Sequence, residues 1–216
     1  MSSAGARPYT ESIAHLATLE SVALASASPR RRELLISLGL HVAVIPSAYD
    51  EQPLPGLAPA EVALRHARGK AAAAVPSDRL IVAADTVVDV DGDPLGKPAD
   101  GDEARAMLRR LSGRWHAVHT AFALRHDASG AAFADIVTTR VRFADLDDRA
   151  VAEYADSGDG LDKAGAYGIQ GFAATLVERI DGDYFTVVGF PLAAFARALP
   201  ALGFRLRPQP AGVTAP

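Results

Sequence analysis

Residues 21–39 constrain the fold most tightly. Ser21-Val-Ala-Leu-Ala25 is a short apolar run without breakers, of strand length. Ser28-Pro29 then reads as a helix entry, with serine at the N-cap and proline at the first helical position, where its missing N–H costs nothing. Arg30 to Gly39 continues with Leu34, Leu35 and Leu38 on one face, and Gly39 is placed to end the helix. The unit is a strand, a turn of small residues and a helix that begins on arginines. A helix N-terminus repels cations, so these arginines and the free N–H groups suit a phosphate-bearing ligand seated between them. An ordinary solvated basic face has the same sequence, and the stretch alone does not separate the two.

The remaining composition narrows the class. A chain of 216 residues is long enough for a substantial core. Its net charge of −4 argues against a mainly electrostatic nucleic-acid binder, while leaving room for a local basic pocket. The absence of cysteine excludes disulfides, thiolate metal sites and cysteine nucleophiles. The N-terminus is polar and lacks the apolar segment of a signal peptide, and no uncharged apolar run approaches the roughly 20 residues of a membrane span. The expectation is a cytoplasmic protein without membrane contact.

Along the chain, residues 1–20 read as an N-terminal extension, frayed or a short helix, residues 21–200 as a single domain, and residues 201–216 as a tail, disordered from Arg207. His41 to Ile45 is a second strand, followed by a loop carrying Asp50 and Glu51. Pro59 opens a helix that runs to Lys70, with Gly69 a helix-interior glycine costing about 1 kcal/mol relative to alanine. Leu80 to Val88 is an almost continuous buried-strand pattern broken by one acid, Asp85. An unpaired carboxylate there is expensive. It either caps a nearby turn or serves as a metal ligand or general base at a strand end, and the second reading is favoured. Asp91-Gly-Asp is a tight turn, and Leu95-Gly-Lys97-Pro98 pins a lysine that is expected to point back towards Asp85.

Asp102 to Leu111 is an amphipathic helix with Ala104, Met107, Leu108 and Leu111 inside. Trp115–Leu124 and Ala132–Phe143 pair as a hairpin around Asp127-Ala-Ser-Gly130. His116 and His119 fall on opposite strand faces, a poor metal pair and better suited to packing. Asp147–Ser157 is another helix. Five glycines in the fourteen residues 158–171 imply close backbone approach, with Lys163, Tyr167 and Gln170 suited to grip a base and a phosphate. Ala174–Ile180 and Tyr184–Val188 read as a last hairpin, and Pro191 opens a closing helix to Leu199.

Four stretches, Leu24-Ala-Ser-Ala-Ser-Pro-Arg-Arg, Ala84-Asp-Thr-Val-Val, Gly96-Lys-Pro and Asp162-Lys-Ala-Gly-Ala-Tyr-Gly-Ile-Gln-Gly, together resemble the Maf family of nucleoside triphosphate pyrophosphatases. Leu111-Ser-Gly-Arg-Trp-His and Asp181-Gly-Asp-Tyr-Phe-Thr-Val-Val-Gly-Phe-Pro agree, so the resemblance runs from about Val22 to Leu199. It implies an α/β fold like that of the inosine triphosphate pyrophosphatases (Maf/Ham1), an elongated mixed sheet flanked by helices with a central cleft between two lobes of the 21–200 domain. It also implies hydrolysis of a nucleoside triphosphate to the monophosphate and pyrophosphate with Mg2+ or Mn2+, and a homodimer.

Thr86 and Gln170 match the members acting on dTTP and UTP rather than those acting on 7-methyl-GTP. Asp85 matches the catalytic acid, described as proton acceptor, and with Glu51 the metal-holding acids. Ser26, Arg30, Arg31, Lys70 and Lys97 match phosphate-facing positions, of which the two lysines are counted with Asp85 as catalytic. Arg30, Thr86 and Gln170 match positions associated with substrate choice. The alternatives left open are a nucleotide-binding regulator of septum formation with incidental hydrolysis, and 7-methyl-GTP specificity.

Overall fold

A computed structural model describes residues 16–208. The strand–turn–helix unit forms as the sequence requires, β2 (Ser21–Leu24) leading into α1 (Pro29–Ser37). Gly39 ends that helix with φ +79°, a conformation open to a residue without a β-carbon. Before it, β1 (Ala17–Thr18) pairs in parallel with β9 (Phe204–Arg205), so the lead-in is extended from Ala17 onward; the rest of it, like the tail beyond 208, lies outside the described residues.

The main sheet has the order β3-β2-β4-β6-β7-β8, with β5 also pairing β4. Here β3 is His41–Val44, β4 Leu80–Val90, β5 Asp93–Leu95, β6 Trp115–His126, β7 Ala131–Phe143 and β8 Val177–Asp181. β3, β2 and β4 run parallel; β4, β6, β7 and β8 are antiparallel neighbours, so the sheet is mixed. β4 is its hinge of topology. One edge of β4 pairs β6 from Ile81 to Asp89, while the other meets β2 only for Leu80–Val82 and β5 only for Val88–Val90. The five residues between, Ala83 to Val87, therefore have no strand on that edge. Asp85 and Thr86 sit in this gap.

Helices cover both faces. On one face α2 (Pro59–Ala73) lays Ala63, Ala67 and Ala71 against Ala23, Ala83, Ala121 and Ala123. Small side chains on both sides let helix and sheet approach closely, which brings Lys70, one residue before Ala71, down to the strand. The other face carries the larger core, with Leu24, Leu35, Val82, Leu108, Phe122, Phe143, Phe190 and Phe195 among its buried members. α3 (Gly101–Leu111) and α4 (Asp148–Asp156) flank it; α3 buries the stripe its sequence predicts, Ala104, Met107, Leu108 and Leu111.

The last hairpin does not form. Tyr184–Val188 is a short helix, α5, and Gly171–Leu176 is 3-10 helix ahead of β8. The strand-like composition of Tyr-Phe-Thr-Val-Val is overridden by capping. The Asp183 carboxylate accepts from the Thr186 N–H at 2.8 Å and its hydroxyl at 2.7 Å. The buried Thr139 hydroxyl holds both the N–H and the C=O of Asp183 at 2.9 Å, fixing the turn. α6 (Leu192–Ala198) closes the core after Pro191.

Candidate active site

A large cleft of about 1860 Å3 opens at the gap in β4, between the turn after β2, the 46–58 loop, α2 and the glycine-rich loop 158–171. In a chain of net charge −4 its walls carry five cations, Arg30, Arg31, Lys70, Lys97 and Lys163, against three carboxylates, Glu51, Asp85 and Asp162. That local excess is what a polyanionic ligand requires.

Asp85 and Thr86 are adjacent and so point to opposite faces of β4. Asp85 turns to α2, where Lys70 Nζ donates to its Oδ1 at 2.6 Å. The same ammonium reaches Glu51 Oε1 at 2.9 Å, from the loop. Two carboxylates from distant segments thus converge on one cation. Burial alone would raise the Glu51 carboxyl, but Lys70, with His66 and Lys97 nearby, holds it below the ordinary carboxylate range. Asp50, next to Glu51, is exposed, accepts from the Gln52 side chain and does not border the cleft.

The cation on Asp85 is thus Lys70. Lys97 is exposed on the cleft wall, near enough to Glu51 to help hold its carboxyl down, and makes no ion pair among the described residues. It is held after β5, which pairs with the far end of β4 at Val88–Val90.

Ser28 occupies the N-cap of α1 but its hydroxyl does not cap, so the first-turn N–H groups are left without that partner. Arg31 turns back from this turn beneath the cleft. It donates from Nη1 to Ser26 Oγ at 3.1 Å, from Nη2 to Thr86 Oγ1 at 3.1 Å and from Nε to the Gly189 carbonyl at 3.0 Å. All three acceptors are neutral, and no carboxylate pairs with it among the described residues. Burial pushes its guanidinium below the ordinary value, Asp85 opposing that and Arg30 adding to it. Arg30 spans the cleft to Asp162 at 3.1 Å.

Of the loop residues expected to grip a ligand, Gln170 is exposed on the cleft wall. Lys163 is tied to Asp162 at 2.7 Å and to Asp159. Tyr167 also borders the cleft but is largely buried: only 4% exposed, it bonds His116 Nε2 at 2.7 Å and meets Phe143 edge-on. His119, on the opposite face, bonds Thr138 at 2.8 Å and Asp89 at 3.2 Å, a packing role like that of His116. Tyr49, His66 and Thr120 support the site without any local sequence signal. Tyr49 Oη meets His66 Nδ1 at 3.0 Å below the loop bearing Glu51, and Thr120 lies directly opposite Thr86 in the β4–β6 register.

Among the described residues no three His, Asp or Glu side chains gather as a metal cluster, and no helix is long and apolar enough to cross a membrane. Glu51 and Asp85 are hard oxygen donors brought to within hydrogen-bond reach of one ammonium, a pair that fits a divalent cation completed by water and phosphate oxygens.

Similar proteins are found over nearly the same span of the chain. A protein of Anaeromyxobacter dehalogenans called dTTP/UTP pyrophosphatase is 50% identical over 185 residues, covering 85% of this chain and 94% of that one. Proteins of the same description from Thermus thermophilus and Geobacter metallireducens are 47% and 46% identical, each over 84% of this chain and 95% and 96% of their own. Structural likeness is more distant: a HAM1 protein from Coxiella burnetii superposes with a TM-score of 0.41 and 19% identity, covering 59% of this chain and 74% of that one. The family model described as Maf-like protein matches residues 21–202, nearly the whole described chain, and the protein belongs to the Maf family.

Proposed function

We propose that this protein is a nucleoside triphosphate pyrophosphatase that hydrolyses dTTP and UTP to the monophosphate and pyrophosphate. The observation that carries the reading is the convergence of Glu51 and Asp85 on Lys70, facing the unneutralised Arg31 and the open N-terminus of α1 across one cleft. A pure binder has no need of two acids beside a phosphate site, since each costs anion affinity. The names of its relatives supply the substrate class.

In this reading the triphosphate lies between Arg30, Arg31, Lys97 and the α1 N-terminus, with the Ser26 hydroxyl on a phosphate oxygen. Asp85 holds a water and takes its proton. The water oxygen bonds to phosphorus at the α–β bridge, the bridging P–O bond breaks, and pyrophosphate separates from the monophosphate. Lys70 and Lys97 meet the charge that grows on the phosphoryl oxygens with cations already in place. Glu51 and Asp85 would hold Mg2+ or Mn2+, which supplies Lewis-acid charge neutralisation when bound. Thr86 and Gln170 border the space for the base. A homodimer is supported by the family resemblance alone, and a cytoplasmic location by the sequence composition.

The test is pyrophosphate release, with Mg2+ or Mn2+, from dTTP, UTP, CTP, 7-methyl-GTP and the common purine triphosphates. Release from dTTP and UTP above the rest is expected. A 7-methyl-GTP optimum overturns the pyrimidine assignment, and silence with both metals overturns the enzyme reading.

A further inference from the structure

Two hydroxyls at the cleft share one guanidinium, and their remaining neighbours give them opposite polarity. A guanidinium only donates, so Ser26 Oγ and Thr86 Oγ1 both accept from Arg31. Ser26 Oγ also accepts from the Ser28 N–H at 3.3 Å. Both its lone pairs are then engaged, and its hydrogen has no partner among the described residues. Towards the cleft Ser26 can only donate, which suits a phosphate oxygen.

Thr86 is the reverse. Its Oγ1 lies 2.9 Å from Thr120 Oγ1, and the fully buried Thr120 hydroxyl donates to the Thr186 carbonyl at 2.7 Å. A hydroxyl carries one hydrogen, and a carbonyl cannot supply one. Thr120 therefore spends its hydrogen on Thr186, and Thr86 must give its own to Thr120. With one lone pair taken by Arg31, what Thr86 keeps for a ligand is a single lone pair.

We infer that Thr120 is a positioning residue that locks Thr86 as a hydrogen-bond acceptor and thereby selects a base presenting an N–H, the N3–H of uracil or thymine, over the bare N3 of cytosine. The inference rests on the pyrimidine reading of the cleft and gives that preference a physical cause. Cytosine N3 would set lone pair against lone pair at Thr86, whereas uracil N3–H completes its hydrogen bonding. A phosphate oxygen is refused there for the same reason, which keeps the triphosphate on the Ser26 side.

The test compares kcat/KM for UTP and CTP in the unaltered protein, Thr120→Val and Thr120→Ser. Valine keeps the shape but removes the acceptor for the Thr86 hydrogen, which is then free to meet cytosine N3. The UTP-over-CTP ratio is expected to fall about tenfold in Thr120→Val, mainly through KM, the size of one hydrogen bond gained or lost. Thr120→Ser is expected to keep the ratio. An unchanged ratio in folded Thr120→Val overturns the inference. Should that variant not fold, 3-methyl-UTP, which has no N3 hydrogen, decides with the unaltered protein: cleavage no better than CTP supports it, and cleavage equal to UTP overturns it. No UTP preference in the unaltered protein overturns the pyrimidine reading itself, before Thr120 is touched.

Discussion

The ring of Tyr49 lies against the bare Cα of Gly69, in the space a β-carbon would take. The helix-interior glycine, a local cost in the sequence, is the seat for a loop residue two positions from Glu51. Gly69→Ala should therefore lose about 1–3 kcal/mol through overpacking, against the gain of about 1 kcal/mol that helix propensity alone assigns. Urea denaturation reads the sign. Turnover should fall with it, as the loop is pushed off Lys70, and Tyr49→Ala in the same chain should restore stability. A stabilised Gly69→Ala contradicts this account.

Lys70→Met removes the cation between Glu51 and Asp85. The side chains of Lys70 and Asp85 are only 12% and 11% exposed, so the loss should be about 3 kcal/mol, typical of breaking a buried pair. The freed carboxylates should then bind a divalent cation without competition. Adding Mg2+ is expected to raise the melting temperature of Lys70→Met more than that of the unaltered protein. A larger shift in the unaltered protein would show that the two acids do not form the cation site.

Asp85→Asn leaves Lys70 with Glu51 as a partner, so the fold should persist. Pyrophosphate release should drop on the order of a hundredfold or more, the range of a lost general base. Near-UV circular dichroism and turnover measured together check both halves. A fully active variant removes Asp85 from the chemistry.

His116 gives the protein a predictable acid sensitivity. Burial lowers its pKa from 6.5 to about 4, so the folded state holds it neutral while the unfolded chain protonates it. Its contribution is complete above pH 6.5 and is lost as pH falls towards 4, amounting to about 3 kcal/mol. Unfolding free energy should decline across that window, and His116→Gln should flatten the decline whatever its effect at neutral pH. An equal slope in the variant assigns the acid sensitivity elsewhere.

What was legible in the sequence was local. β2 and α1, the amphipathic α3 and the β6–β7 hairpin follow from apolar spacing, caps and turn residues within each segment. Asp85 stood out because a carboxylate inside Leu80–Val88 needs a partner. Which partner it has did not, since Lys70 reaches it only through the close packing of an alanine-faced helix on an alanine-rich sheet. Tyr184–Val188 reads as a strand because the clamp on Asp183 comes from Thr139, 44 residues earlier. Tyr167 reads as a cleft residue, but its burial against His116 is not legible locally, because that partner is 51 residues away. The hydroxyl polarity at Thr86 depends on register across two strands and a carbonyl on α5, none of it written near Thr86.

The gap in β4 has a consequence for solubility. From Ala83 to Val87 the most apolar strand of the protein has an edge that no other strand pairs, and an unpaired edge is a template on which a foreign strand can add. Any strand docking there would have to desolvate Asp85, Lys70 and Arg31 together. The charges that make the cleft reactive also keep it from becoming a seam between molecules, so neutralising them puts aggregation, as well as activity, at stake.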